Sequence, residues 1–249
     1  MNSRVKFAAI LLLMTILASV CKEEEPVPTG YDIDRLGIPR FVNTNYIDPT
    51  RMVRISRFRS SYGADYSDDF ESCRNMKNAF EPRRIFDWSL LPLFYPVHGT
   101  VVQLSTGIQG SEIHIQSKKF PDFEFYIFHA KPLDGIGTGK MVKKGEQIGT
   151  HFGQAMTAGQ YMGTHIHSQT LSDIAVCVWS PGGRKLISYF DTMTDSLFQD
   201  YQFRGLSERS DVIISKEERA TYPLSCSGEA FLPLNNPLEN WIYLNPKGR

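Results

Sequence analysis

Two histidines stand two residues apart in Gly163-Thr164-His165-Ile166-His167, a stretch that otherwise reads as a β-strand. Side chains at i and i+2 of a strand share a face, so both imidazoles look into one space. Imidazoles held that way suit two kinds of chemistry, binding a zinc ion or moving a proton near neutral pH. His129 closes the aromatic stretch Tyr126-Ile127-Phe128-His129, where its ring can reach the mouth of a groove. The other histidines read more plainly. His98, between Val97 and Gly99, belongs on an exposed strand edge; His114 alternates with Ile113 and Ile115 and faces solvent or a hydrogen-bond partner; His151 sits in a loop or at a strand end. Asp65, Asp68, Asp69 and Glu71 form an acidic cluster, read either as a solvated loop or as a source of carboxylate ligands. Gly135-Ile136-Gly137-Thr138-Gly139 follows Pro132 and leads into no helix, so it is expected to be a hairpin loop rather than a phosphate cradle.

The elements that must position these groups are short strands. Val, Ile, Phe and Tyr dominate residues 53–58, 97–104, 112–116, 124–130, 147–152, 164–170, 174–179 and 185–190, with Gly or Pro between them. Such a pattern implies a mainly β fold with a sandwich or barrel-like core. Helix signals come late, at Thr194-Asp195-Ser196-Leu197-Phe198 and in the capping box Ser215-Lys216-Glu217-Glu218. Residues 192–249 therefore read as a short α or irregular C-terminal extension, with Trp241, Tyr243 and Leu244 packing back onto the core.

The chain has 249 residues, 41% of them hydrophobic, with 27 Lys plus Arg balancing 27 Asp plus Glu. That is an ordinary globular composition, and it gives no electrostatic case for a nucleic-acid partner. Arg4 and Lys6 precede an apolar run from Phe7 to Val20 that is shorter than the roughly 20 residues needed to span a bilayer. Residues 1–20 read as a signal peptide and residues 21–50, rich in Pro and polar groups, as a tether. Cys21 after Leu17-Ala18-Ser19-Val20 resembles the lipidation site of a bacterial lipoprotein, although Ala18 and Val20 depart from the usual box; plain secretion is the alternative. An export compartment permits one disulfide among Cys73, Cys177 and Cys226, and the sequence does not say which pair.

Four segments then occur in a particular order: Tyr95-Pro96-Val97-His98-Gly99-Thr100-Val101-Val102, Tyr126-Ile127-Phe128-His129, Met141-Val142-Lys143-Lys144-Gly145-Glu146-Gln147-Ile148-Gly149-Thr150, and Gly163-Thr164-His165-Ile166-His167. This succession, within residues 50–175, resembles the lysostaphin/LytM-type zinc metalloendopeptidases, which cleave peptides of bacterial peptidoglycan on a β-rich scaffold called the duplicated hybrid motif. The resemblance implies a peptidase-like domain over residues 51–191, His167 as a zinc ligand, and His165 and His129 as catalytic partners. It also calls for a His-x-x-x-Asp ligand pair upstream, and there the chain departs. Asp68 matches the aspartate after a glycine-led turn, but Ala64 stands at the histidine position; Asp87 with Arg83 in that slot is the other candidate. Loss of even an outer partner of a metal typically costs about 10–100-fold in affinity or activity, and loss of a ligand costs more. A substitute from His98, Asp65 or Asp69, or a water, would be needed to complete the site.

The expectation is accordingly an envelope lipoprotein, lipid-anchored to the membrane, whose zinc site is weak or lost and whose groove binds or regulates peptidoglycan. An active zinc endopeptidase with a substitute ligand is the alternative. Sugar phosphotransferase carriers share the scaffold and also pair histidines, but they work in the cytoplasm, and the Phe7–Val20 export segment speaks against them.

Overall fold

The structure is a computed structural model and describes residues 30–153, 171–233 and 236–245. Its strands are β1 (Met52–Ser56), β2 (Asn78–Pro82), β3 (Pro92–Phe94), β4 (Gly99–Gly107), β5 (Gly110–Ser117), β6 (Phe123–Pro132), β7 (Met141–Val142), β8 (Gln147–His151), β9 (Ser172–Ser180), β10 (Gly183–Ile187), β11 (Cys226–Ser227), β12 (Ala230–Phe231) and β13 (Trp241–Tyr243). Antiparallel pairing runs in the order β13-β1-β2-β9-β6-β5-β4-β7, with β10 also on β9, and β8 joining β3 to β6. The fold is mainly β, as the alternating sequence implies.

Strand β6 is the hinge of this arrangement. Its first half pairs with β9, Phe123 opposite Val178 to Ile127 opposite Ile174. Its second half leaves β9 and pairs with β8, Ala130 opposite His151 and Pro132 opposite Gly149. One strand thus serves two layers, the way a sheet folds over into a sandwich. The two motif glycines are required by close backbone approach. A Cβ on Gly99 would lie 2.0 Å from the Gln116 carbonyl oxygen, and one on Gly149 would lie 2.1 Å from that of Lys131.

Period-2 alternation sorts the side chains into two packed faces. Ile174, Val176 and Val178 of β9 join Phe123, Phe125 and Ile127 of β6 in the main core. Ala175 and Cys177 face the other way, with Tyr126, Phe128 and Leu186, under a lid of Phe58, Met76, Tyr66 and Ile213.

Residues 31–50, expected as part of the 21–50 tether, are folded onto the core instead. Val42, Tyr46 and Ile47 are buried in it. The Tyr46 hydroxyl donates to the Ser172 carbonyl at 2.9 Å, and Tyr31 and Phe41 meet the ring of Phe123 edge-on. The physical reason is aromatic area: two or three large rings outweigh the turn-forming signals of the prolines around them.

The C-terminal extension also completes the sheet. β13 adds to β1 with Ile242 opposite Ile55, and helix Asp195–Gln202 buries Leu197, Phe198 and Tyr201. Ser215 and Glu218 form the anticipated capping box. A disulfide joins Cys73 to Cys226, and Cys177 remains a buried thiol, which burial pushes up to about 11 and so keeps protonated.

Candidate functional site

Strand β6 carries a bulge where the chemistry begins. Ser111 faces Ala130 and Ile113 faces Ile127, so Phe128 and His129 together oppose the single residue Glu112. His129 takes up the extra residue with φ of 57°, in the left-handed region that a non-glycine residue enters at a cost of about 1–2 kcal/mol. Bulges of this kind re-aim a side chain. Here the ring is held by Nδ1, which lies 3.0 Å from the Gln109 carbonyl oxygen. A carbonyl can only accept, so Nδ1 carries the proton and Nε2 is turned inward.

Nε2 of His129 lies 3.7 Å from Oδ2 of Asp173, too long for a hydrogen bond but close for a charge contact. Asp173 is the second residue of β9 and continues the row of Ala175 and Cys177. Lys77, just before β2, places Nζ 3.1 Å from the same Oδ2. The ammonium also lies over the rings of Phe128 at 4.5 Å and Tyr66 at 5.0 Å, which meet edge to face. Burial pushes the Asp173 carboxyl up, but Lys77 and His129 outweigh it and hold the group below the usual carboxylate value. Its other oxygen, Oδ1, is buried with no partner among the described residues, as is the neighbouring Ser172 hydroxyl.

Further along the same face, His114 stacks on Tyr126 with ring centroids 3.7 Å apart, and its Nε2 lies 2.7 Å from Oε1 of Glu112. Two imidazole–carboxylate pairs therefore flank the bulge of β6. Together they can bind donors and acceptors and hold protons; they form no cluster of three or more metal-ligating groups, and none exists among the described residues.

The residues singled out from sequence fare differently. His129 stands at the centre of the cluster. His165 and His167 lie outside the described residues, as does Cys21. Asp68 has its carboxylate engaged by backbone: Oδ1 accepts from the amides of Phe70 and Glu71, and Oδ2 from that of Leu186 at 2.9 Å. It pins the loop before β2 onto β10. Ala64 pairs with Ala230, facing the β11–β12 hairpin. Asp87 caps a short 3-10 turn by accepting from the Ser89 amide. His98 is exposed and accepts from the Lys144 amide at 3.3 Å, and His151 is buried at the end of β8 against Trp88.

Lys77 and Asp173 carry no motif of their own in the sequence: a lysine is no metal ligand, and Asp173 stands apart from the acidic cluster around Asp68. The spacing was there to be seen: Lys77-Asn78-Ala79-Phe80-Glu81 keeps the i, i+4 interval of a His-x-x-x-Asp pair with both residue types exchanged. Glu81 is paired with Arg54 on the neighbouring strand.

Zinc does not fit this cluster. Where an imidazole meets a buried carboxylate, a cation would take Oδ2 of Asp173, and the Lys77 ammonium is already there. A metal would have to expel a like charge and leave it buried among aromatic rings.

No family model and no curated protein matches the chain. Among solved structures it is similar to one from the SpoIIQ–SpoIIIAH pore-forming complex, at 11% identity over 62% of this chain and 91% of that one, with a TM-score of 0.40. A protein described as the glycyl-glycine endopeptidase LytM of Ruminococcus gnavus gives 13% identity over 54% and 59%, TM-score 0.33. Lysostaphin gives 14% over 50% and 49%, TM-score 0.29. The chain thus spans about half the length of lysostaphin and under two thirds of the R. gnavus protein. The solved structures it resembles are of the LytM/lysostaphin type and a SpoIIQ.

Proposed function

We propose that this is a cell-envelope protein whose lysostaphin/LytM-like domain recognises peptidoglycan, or peptides derived from it, without hydrolysing them. It serves as a wall-binding or regulatory module, exported and tethered to the membrane through a lipid on Cys21. One observation supports the non-catalytic reading: Nζ of Lys77 lies 3.1 Å from Oδ2 of Asp173, so the buried carboxylate beside His129 is already neutralised by an ammonium. An ammonium can neutralise and orient. It has no open coordination position with which to polarise a carbonyl or lower the pKa of a bound water.

What remains suits recognition. The half-buried Tyr66 ring, the His129 ring edge and the Glu112–His114 pair set apolar surface beside hydrogen-bonding groups, the combination that orients a bound peptide. The export signal and the Cys21 box support the envelope location. The test is sedimentation with purified sacculi, together with assay of soluble fragments with and without a chelator. Binding without fragment release is expected. Chelator-sensitive release would establish the alternative, a zinc endopeptidase built on His165 and His167 with a substitute ligand.

A further inference from the structure

A cavity of about 750 Å³ lies between the N-terminal wrap, the loop before β2, β10 and the turn that follows it. Small-molecule sites fall in the range of about 300–1,000 Å³. Its wall is part apolar, with Ile38, Phe58 and Ile187, and part charged. Almost every charge in it is answered. Lys185 pairs with Asp34, Arg59 and Lys216 share Glu71, Arg40 and Arg209 share Asp195, and Asp68 holds three backbone amides.

Asp191 is the exception. It lies in the single-turn helix Tyr189–Thr192, and its carboxylate makes no hydrogen bond or ion pair among the described residues. Burial pushes it up to about 6, against the pull of Arg209, Arg59 and Arg40. Those guanidinium groups point elsewhere: Arg209 donates to the carbonyls of Phe190 and Met193, Arg59 to Glu71 and Ile214, and Arg40 to Asp195.

We infer that this cavity is a binding site for a small ligand carrying a primary ammonium group, which the carboxylate of Asp191 receives. A charge-assisted hydrogen bond to that oxygen is about twice as strong as a neutral one. The inference rests on the proposed function only for where such a group comes from: the diamino acid of a wall peptide, or an amino sugar of a glycan strand.

The experiment is calorimetric titration of the full chain with L-lysine, with glucosamine and with N-acetylglucosamine, at pH 7.5 and at pH 5. Saturable binding of lysine or of glucosamine is expected, and which of the two binds tells the sources apart. N-acetylglucosamine, with no ammonium, should not bind. Affinity should fall about tenfold at pH 5, because a carboxyl titrating at about 6 is then only about one-tenth ionised. Asp191→Asn, isosteric and uncharged, should abolish binding at both values. Failure of both amines to bind, equal binding of the acetylated sugar, or unchanged binding by Asp191→Asn would each overturn the inference. Sacculus binding that survives Asp191→Asn would leave the proposed function standing, so the two ideas fail separately.

Discussion

Lys77 carries more of this account than any other side chain. It is held between a buried carboxylate and two aromatic rings, and removing it strands the Asp173 charge. Breaking a buried pair from one side typically costs about 3–5 kcal/mol. Lys77→Met should therefore lower the urea midpoint by a corresponding amount at pH 8. Adding Asp173→Asn should recover much of the loss, since it removes the stranded charge. The pH dependence gives a second handle. In the wild type Asp173 is held below the usual 3.8, so its contribution is present above that value and drains away as pH falls through the folded-state value. In Lys77→Met burial meets weaker opposition and the carboxyl rises. That variant should lose stability as pH climbs towards neutrality, the reverse of the wild-type trend. Unfolding curves at pH 5 and pH 8 distinguish the two slopes. Asp191 behaves like the second case already: raised to about 6, it favours the folded state below the unfolded value of 3.8 and costs stability as pH rises through 6. Asp191→Asn should accordingly raise the melting temperature at pH 8 and leave it nearly unchanged at pH 4.

At the scale of elements, the strands rich in branched and aromatic residues were legible. β1, β4, β5, β6, β8, β9 and β10 fall close to the expected segments, because Val, Ile and Phe gather there between turn residues. β2 escaped because Asn78, Glu81 and Pro82 argue locally against a strand, although all five of its residues are buried. Tertiary contact supplied what local preference lacked: Asn78 donates to the Ser56 carbonyl, and its own oxygen accepts from Ser188 and Tyr189. The bulge at Phe128–His129 was equally invisible, since it depends on register with β5. The Cys73–Cys226 link ties the loop that precedes Lys77 to the β11–β12 hairpin across 153 residues of sequence. Closing so long a loop constrains the unfolded chain, and losing such a bond typically costs about 2–5 kcal/mol. The Cys73→Ser/Cys226→Ser pair should melt earlier by that measure, in parallel with wild type under a reductant. Cys177 should stay unreactive towards thiol reagents until the protein unfolds, given its burial and raised value.

For the whole molecule, the fold class could be read from short alternating strands, while the extent of the folded body could not. The tether signals of residues 21–50 are local, whereas the burial of Tyr46 under β9, and the pairing by which the returning segment Trp241–Tyr243 extends β1, are decided by what the chain meets after folding. The site divides the same way. His129 stood out in the sequence as the last residue of an aromatic run, although its strand continues to Pro132; Lys77 and Asp173 did not, because their meaning comes only from standing 3.1 Å apart beside that imidazole. The proposed envelope location, wall recognition and non-hydrolytic role then form one connected claim, resting on the Lys77 ammonium beside Asp173. Metal analysis of the intact protein, equilibrated with micromolar zinc and freed of excess by gel filtration, tests it most directly. The account predicts well under about one zinc per ten chains, rising on Lys77→His if the ammonium is what excludes the ion. One zinc per wild-type chain, retained through filtration and removed by a chelator, would contradict it.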